Sequence, residues 1–171
     1  LKVEVINNVL LIGVDKNDKE LFDDFNNVKL KIYVTYKQLQ SLSGSGATSF
    51  NAENPITADK LEIRISGANN SKLQLDVKDL EIESSGAANL NLTGQAVQVN
   101  LKSSGASNIK AYGLKIQDLI AESSGVSNIY VSVDKTLEVK ASGLSNITYE
   151  GNAQVKSKEV SKMANIRKRN D

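Results

Sequence analysis

Residues 99–111, VNLKSSGASNIKA, and residues 119–131, LIAESSGVSNIYV, are two copies of one pattern centred on Ser-Gly-x-x-Asn. The same signal returns as SGATSF at Ser45, SGANNS at Ser66, SGAANL at Ser85 and SGLSNI at Ser142, with a degenerate copy, SKMANI, at Ser161. The second residue of each copy marks the period: Gly46, Gly67, Gly86, Gly105, Gly125, Gly143 and Lys162, separated by 21, 19, 19, 20, 18 and 19 residues. A fixed period near 19 residues is the signature of a solenoid, in which each repeat buries its apolar face against the next.

Offsets from the marker give the kind of solenoid. Four and six residues before it stand the apolar pairs Ile63 and Leu61, Ile82 and Leu80, Leu101 and Val99, Ala121 and Leu119, and Val139 and Leu137. Four residues after it stand Leu90, Ile109, Ile129, Ile147 and Ile166, and six after it Leu92, Ala111, Val131 and Tyr149. Apolar residues two apart on both sides of a glycine predict short inward-facing strands joined at a tight corner. Small residues two before the marker, Ser84, Ser103, Ser123 and Ala141, suit a narrowing corner.

Two polar columns accompany this core. Three before the marker the residues are Arg64, Glu83, Lys102, Glu122, Lys140 and Glu159, alternating in sign at every coil. Coils stacked in register about 4.8 Å apart would set each charge between two opposite ones, which favours that register over a one-coil slip. Three after the marker stand Asn70, Asn89, Asn108, Asn128, Asn146 and Asn165. Asparagine tolerates corner backbone and can stack in ladders, so these are expected to line the inner face as a structural ladder. A glycan- or metal-binding row of amides would instead need them to point outward.

Composition narrows the function. The chain has no His and no Cys, so the commonest general base, thiol nucleophiles, disulfides and the usual zinc ligands are missing, and neither a metal nor a cofactor is expected. Net charge is +1, which points to neither nucleic acid nor a membrane surface as partner. Basic residues do gather at the end, where Lys156, Lys158, Lys162, Arg167, Lys168 and Arg169 face only Glu159 and Asp171; a polar solenoid cap is the expectation, against a docking patch for anionic lipid or polysaccharide. No stretch approaches the roughly 20 apolar residues of a membrane-spanning helix.

Taken in order, Leu1, Val3 and Val5 open a strand that Asn7-Asn8 turns into the apolar run Val9 to Ile12. No initiator Met precedes it, so Leu1 is not expected to be the start of the gene. Residues 15–27, DKNDKELFDDFNN, hold close carboxylates suited to a cation such as Ca²⁺, but they lack the EF-hand pattern and are expected to form an irregular loop or short helical turn. Residues 28–36, VKLKIYVTY, alternate as a long strand. Residues 38–60 form the longest coil and contain the sole proline, Pro55. Variation concentrates on the third side of each coil, where Asp76, Asp79, Gln95, Tyr112, Asp118, Asp134 and Lys135 fall. Clustered aspartates with a Lys or Arg base would make a lyase-type site, but no convergent set emerges. Phe50, Tyr112 and Asp118 are the candidate ligand-binding residues.

The SGxxN coils, the alternating strands before them, Gly151-Asn152 and the basic last turn together resemble the bacterial head GIN domain family of adhesin-like proteins. That resemblance covers nearly the whole chain. It implies export, a β-helical fold and adhesion at a surface, and brings no catalytic residues. The expected fold is all-β, a parallel right-handed β-helix of about seven coils and about 29 Å, with an antiparallel N-terminal region. A single domain is expected, comprising strands over 1–36, coils over 37–155 and a basic cap over 156–171, with glycines 46, 67, 86, 105, 125 and 143 at its turns. The expected function is a non-catalytic binding module exported to the periplasm, outer-membrane surface or medium, contacting cell-surface glycan or protein. A lyase-like polysaccharide enzyme and a self-associating surface protein are the alternatives.

Overall fold

Why the repeat closes into coils is visible at its corner glycines. In the computed structural model, which describes residues 1–13 and 30–169, Gly67, Gly86, Gly105 and Gly125 all have φ between +90° and +97°. An L side chain is strained there, and a Cβ on Gly105 would stand only 2.7 Å from the carbonyl oxygen of Gly86. Glycines of successive coils therefore sit backbone on backbone. A second corner uses Gly94 and Gly151, also at positive φ, eight residues past the marker in their coils.

Two compact units are present, Leu1–Tyr36 and Lys37–Asp171. In the first, β1 (Lys2–Ile6) and β2 (Val9–Gly13) pair antiparallel, with Val3 opposite Ile12 and Val5 opposite Leu10. Asn7 and Asn8 join them with φ of 50° and 63°. Two consecutive positive φ values match the twist of a tight hairpin, and asparagine is among the few residues that accept them. The long strand expected over 28–36 does not form within its described part, residues 30–36. Leu30, Ile32 and Val34 are exposed there, and no described strand pairs with them. Alternation yields a strand only where a neighbour accepts its ladder of hydrogen bonds. The acidic stretch 15–27, with its calcium question, lies outside the described residues, as do Val28 and Lys29.

The second unit is a parallel β-solenoid of about seven turns. β3 (Ser41–Gly44) and β4 (Ala47–Thr48) pair with the start of β5 (Ile56–Ala141), an unbroken extended run that winds through successive coils. β6 (Asn146–Glu150) and β7 (Gln154–Val160) add to β5, and β8 (Asn165–Lys168) adds to β6. Register follows the repeat, since Asn128, Asn146 and Asn165 are Cα partners, as are Ile129, Ile147 and Ile166. The degenerate SKMANI copy thus packs as a coil. Lys162 cannot supply the glycine's backbone cheaply, and its corner is instead a turn closed by Ala164 N–H donating to the Ser161 carbonyl at 3.1 Å.

On the strands that flank the marker the core is Leu, Ile, Val and Ala at even offsets; beyond the second corner of the 20-residue coil Leu114 and Ile116 are buried at odd ones. Leu61, Ile63, Leu101, Ile109, Leu119, Ile129 and Leu137 are buried to within about 1% of full. Burying such a side chain is worth about 1.5–3 kcal/mol, so this column is the main source of stability. At the first corner the interior is polar. Ser84 and Ser107 are 3.1 Å apart, Ser103 and Ser127 3.2 Å, and Ser123 donates to Ser145 at 3.0 Å, all buried. Each bond joins the residue two before one marker to the residue two after the next.

The expected inner asparagine ladder is corrected by this arrangement. Asn70, Asn89, Asn146 and Asn165 are exposed, and Asn108 and Asn128 are half-buried. Offset three is odd while the core offsets on this strand are even, so the pleat turns this column outward. Among the described residues one hydrogen bond links its members, Asn146 Nδ2 to Asn128 Oδ1 at 3.4 Å.

Candidate functional site

Each coil offers three outer faces. The face before the first corner carries the alternating charges beside exposed Ser66, Ser85, Ser104, Ser124 and Ser142, which border a shallow groove of about 550 Å³. Arg64 Nε bonds Glu83 at 3.3 Å and also contacts Glu62; Lys140 reaches Glu159 at 3.8 Å. Lys102 has no carboxylate within 4 Å among the described residues. Alternation therefore yields close ion pairs at two steps. The row also borders Glu62, Glu81 and Glu138, which leaves this face acidic.

Beyond the second corner lies the variable third side. An open groove of about 1100 Å³ runs along it, bordered by Gln38, Asp59, Lys78, Gln95, Gln117 and Asp134. Its polar groups largely satisfy one another from coil to coil. Lys78 Nζ is 2.6 Å from Asp59, Gln95 donates to Asp76 at 2.8 Å, and Lys135 to Gln117 at 2.6 Å. The hydrogen bond from Lys78, and then its charge, hold the Asp59 carboxyl below the ordinary carboxylate range, and the same contact raises the Lys78 ammonium. Asp118 accepts from Thr136 at 2.5 Å in the same way. Among the described residues no three acidic side chains gather closely enough to hold a metal ion.

The remaining face, between the two corners, carries the asparagine column. Two further outward columns follow it along the strand, because odd offsets there point away from the core, although Thr148 is itself buried. One includes Lys72, Lys110, Tyr130, Thr148 and Arg167, the other Tyr112, Ser132, Glu150 and Arg169. The Tyr112 and Tyr130 rings lie 5.6 Å apart at 58°. Arg169 crosses the small Ser132 row, so its guanidinium carbon sits 5.0 Å from the centre of the Tyr112 ring while its Nη1 bonds Glu150 at 3.2 Å. Arg167 Nε donates to Thr148 Oγ1 at 3.2 Å.

The three candidates from sequence therefore part company. Phe50 is drawn toward the core of the first coil, where its ring leaves no room for a Cβ on Gly44 and its N–H donates to Ser71 Oγ at 2.9 Å. Tyr112, placed on the third side by sequence, stands just before the second corner on the asparagine face. Asp118 is on the third side, held by Thr136. Sequence reasoning singled out neither Tyr130 nor Lys110; their odd offset from the marker was the available signal.

A stack of parallel coils with an aliphatic core and regular polar outer columns defines a β-solenoid whose chemistry is displayed on its surface. The chain belongs to the family described as "Putative auto-transporter adhesin, head GIN domain", whose model matches residues 1–153. It is similar to a crystal structure described as "a putative adhesin" from Bacteroides fragilis, with 26% identity and a TM-score of 0.78 over 98% of this chain and 75% of the other. No curated protein matches the chain. No helix among the described residues is long and apolar enough to cross a membrane.

Proposed function

We propose that the chain is a non-catalytic adhesion module, exported and presented at or beyond the cell surface, where it contacts glycan or protein. The observation that carries this reading is the outward asparagine column, which a rigid aliphatic core holds at the repeat of the coils. Amides that donate and accept hydrogen bonds, fixed on a sheet, need little ordering to meet a ligand, and this reduces the entropic cost of binding. Family membership supports the same reading. Export is part of it, since adhesion needs the outer faces to meet another surface.

The test pairs a glycan array and immobilised surface proteins with an assay for unsaturated oligosaccharide release. Retention of the labelled chain without release is expected. Release of unsaturated sugars, or a chain that is retained by nothing on the array or on intact cells, would sink the reading.

A further inference from the structure

We propose that the asparagine face binds an acidic polysaccharide, a chain bearing uronate or sulfate groups, laid along the stack toward the last coils. This rests on the adhesion reading and adds the face and the ligand chemistry.

Charge is the first ground. The molecule is almost neutral, yet its faces differ: this one presents Lys72, Lys110, Arg167 and Arg169 against two described carboxylates, Glu53 in the first coil and Glu150, which Arg169 already engages. The alternating-charge face is acidic, and on the third side Lys78 and Lys135 are engaged by Asp59 and the Gln117 amide while Lys60 and Lys115 stand among the carboxylates Asp59, Glu62, Asp76 and Asp134 of that groove. No carboxylate lies within 4 Å of Lys72, Lys110 or Arg167 among the described residues. An anion therefore finds uncommitted partners here.

Chemistry is the second ground. Tyr130 packs against Tyr112, whose ring carries the Arg169 guanidinium, so Tyr130 is the ring placed to offer its face to the C–H side of a sugar. The asparagine amides supply donors and acceptors for hydroxyls at about 4.8 Å steps. The guanidinium of Arg167 has donors beyond the Nε spent on Thr148, in a fork that matches a carboxylate or sulfate. Cations alone would suit any anionic surface; the amide row and the tyrosine pair favour a hydroxyl-rich chain.

The experiment measures binding of the purified chain to heparin and polygalacturonate fragments, to neutral dextran, and to vesicles containing phosphatidylserine. Lys72→Glu with Lys110→Glu is the main variant, since both side chains are exposed; Tyr130→Phe and Tyr130→Ala test the ring, and Lys102→Glu on the alternating-charge face is the control. Expected are salt-sensitive binding to the acidic fragments, at least tenfold weaker after the double reversal with the melting temperature unchanged, kept by Tyr130→Phe and weakened by Tyr130→Ala. Lys102→Glu should leave it intact. Equal affinity for dextran, or acidic-fragment binding that survives the double reversal, would overturn the proposal. So would vesicle capture that exceeds fragment binding. Loss of this site while the chain still adheres to cells would reject this face and leave the adhesion reading standing; loss of all adhesion by the wild-type chain would reject both.

Discussion

At the scale of single residues, the corner glycines separate two costs that usually come together. Gly46 and Gly105 both have positive φ, at 75° and 93°, but a Cβ on Gly46 meets nothing within 4 Å while one on Gly105 meets the backbone of Gly86 at 2.7 Å. Gly46→Ala should therefore cost only the backbone strain, about 1–2 kcal/mol. Gly105→Ala should cost about 1–3 kcal/mol more, because the neighbouring coil must move. Urea midpoints of the two variants check this, and equal losses would mean that the coils do not meet at the glycine. Asn108→Ala, on the outward column, should shift stability by no more than about 0.5 kcal/mol. A loss of about 2 kcal/mol would place that amide inside.

At the scale of the coil, the buried serine pairs offer a sharper test than the charges. Ser127→Ala strands the buried Ser103 hydroxyl and should cost about 1–3 kcal/mol. Adding Ser103→Ala should recover part of that, since two apolar groups replace two paired hydroxyls. A double-mutant cycle with no coupling would show that the pair is not a hydrogen bond. Lys102→Glu sets three acids in consecutive coils and should cost about 0.5–1 kcal/mol, because the side chains remain in water. The alternating row is better understood as a register device than as a source of stability. One-coil displacement of part of the stack would bring like charges together along its length.

Over the whole molecule, stability comes from a continuous aliphatic column, and titration contributes little near neutrality. The chain has no His. Asp59, whose value is lowered from 3.8, contributes stability that is present above that value and is lost as pH falls through its folded value. Lys78, raised from 10.5, contributes stability that is present below that value and is lost as pH rises through its folded one. The melting temperature should accordingly be flat between about pH 5 and pH 9. A step of several degrees near pH 6.5 would contradict this. Because each coil packs its core against its neighbours, a cavity such as Leu101→Ala, at about 2–5 kcal/mol, should weaken the stack locally first, as hydrogen exchange in adjacent coils would report.

The period, the core positions on either side of the marker and the marker corner were legible in the repeat alone; the second corner at Gly94 and Gly151 was not. Stacking makes each coil's surroundings a copy of the next, so local offsets from Gly86 or Gly105 describe tertiary contacts too. It also contained the side of the asparagines, since an odd offset faces away from an even-offset core; ladder chemistry at a corner suggested the reverse. The family resemblance was legible in the same repeats. Which hydroxyl answers Ser103, and that residues 30–36 lack a strand partner among the described residues, emerged from the folded chain. It alone brought Arg169 across Ser132 onto Tyr112. Those outcomes depend on reach and on the availability of partners between distant segments, and the repeat encodes neither.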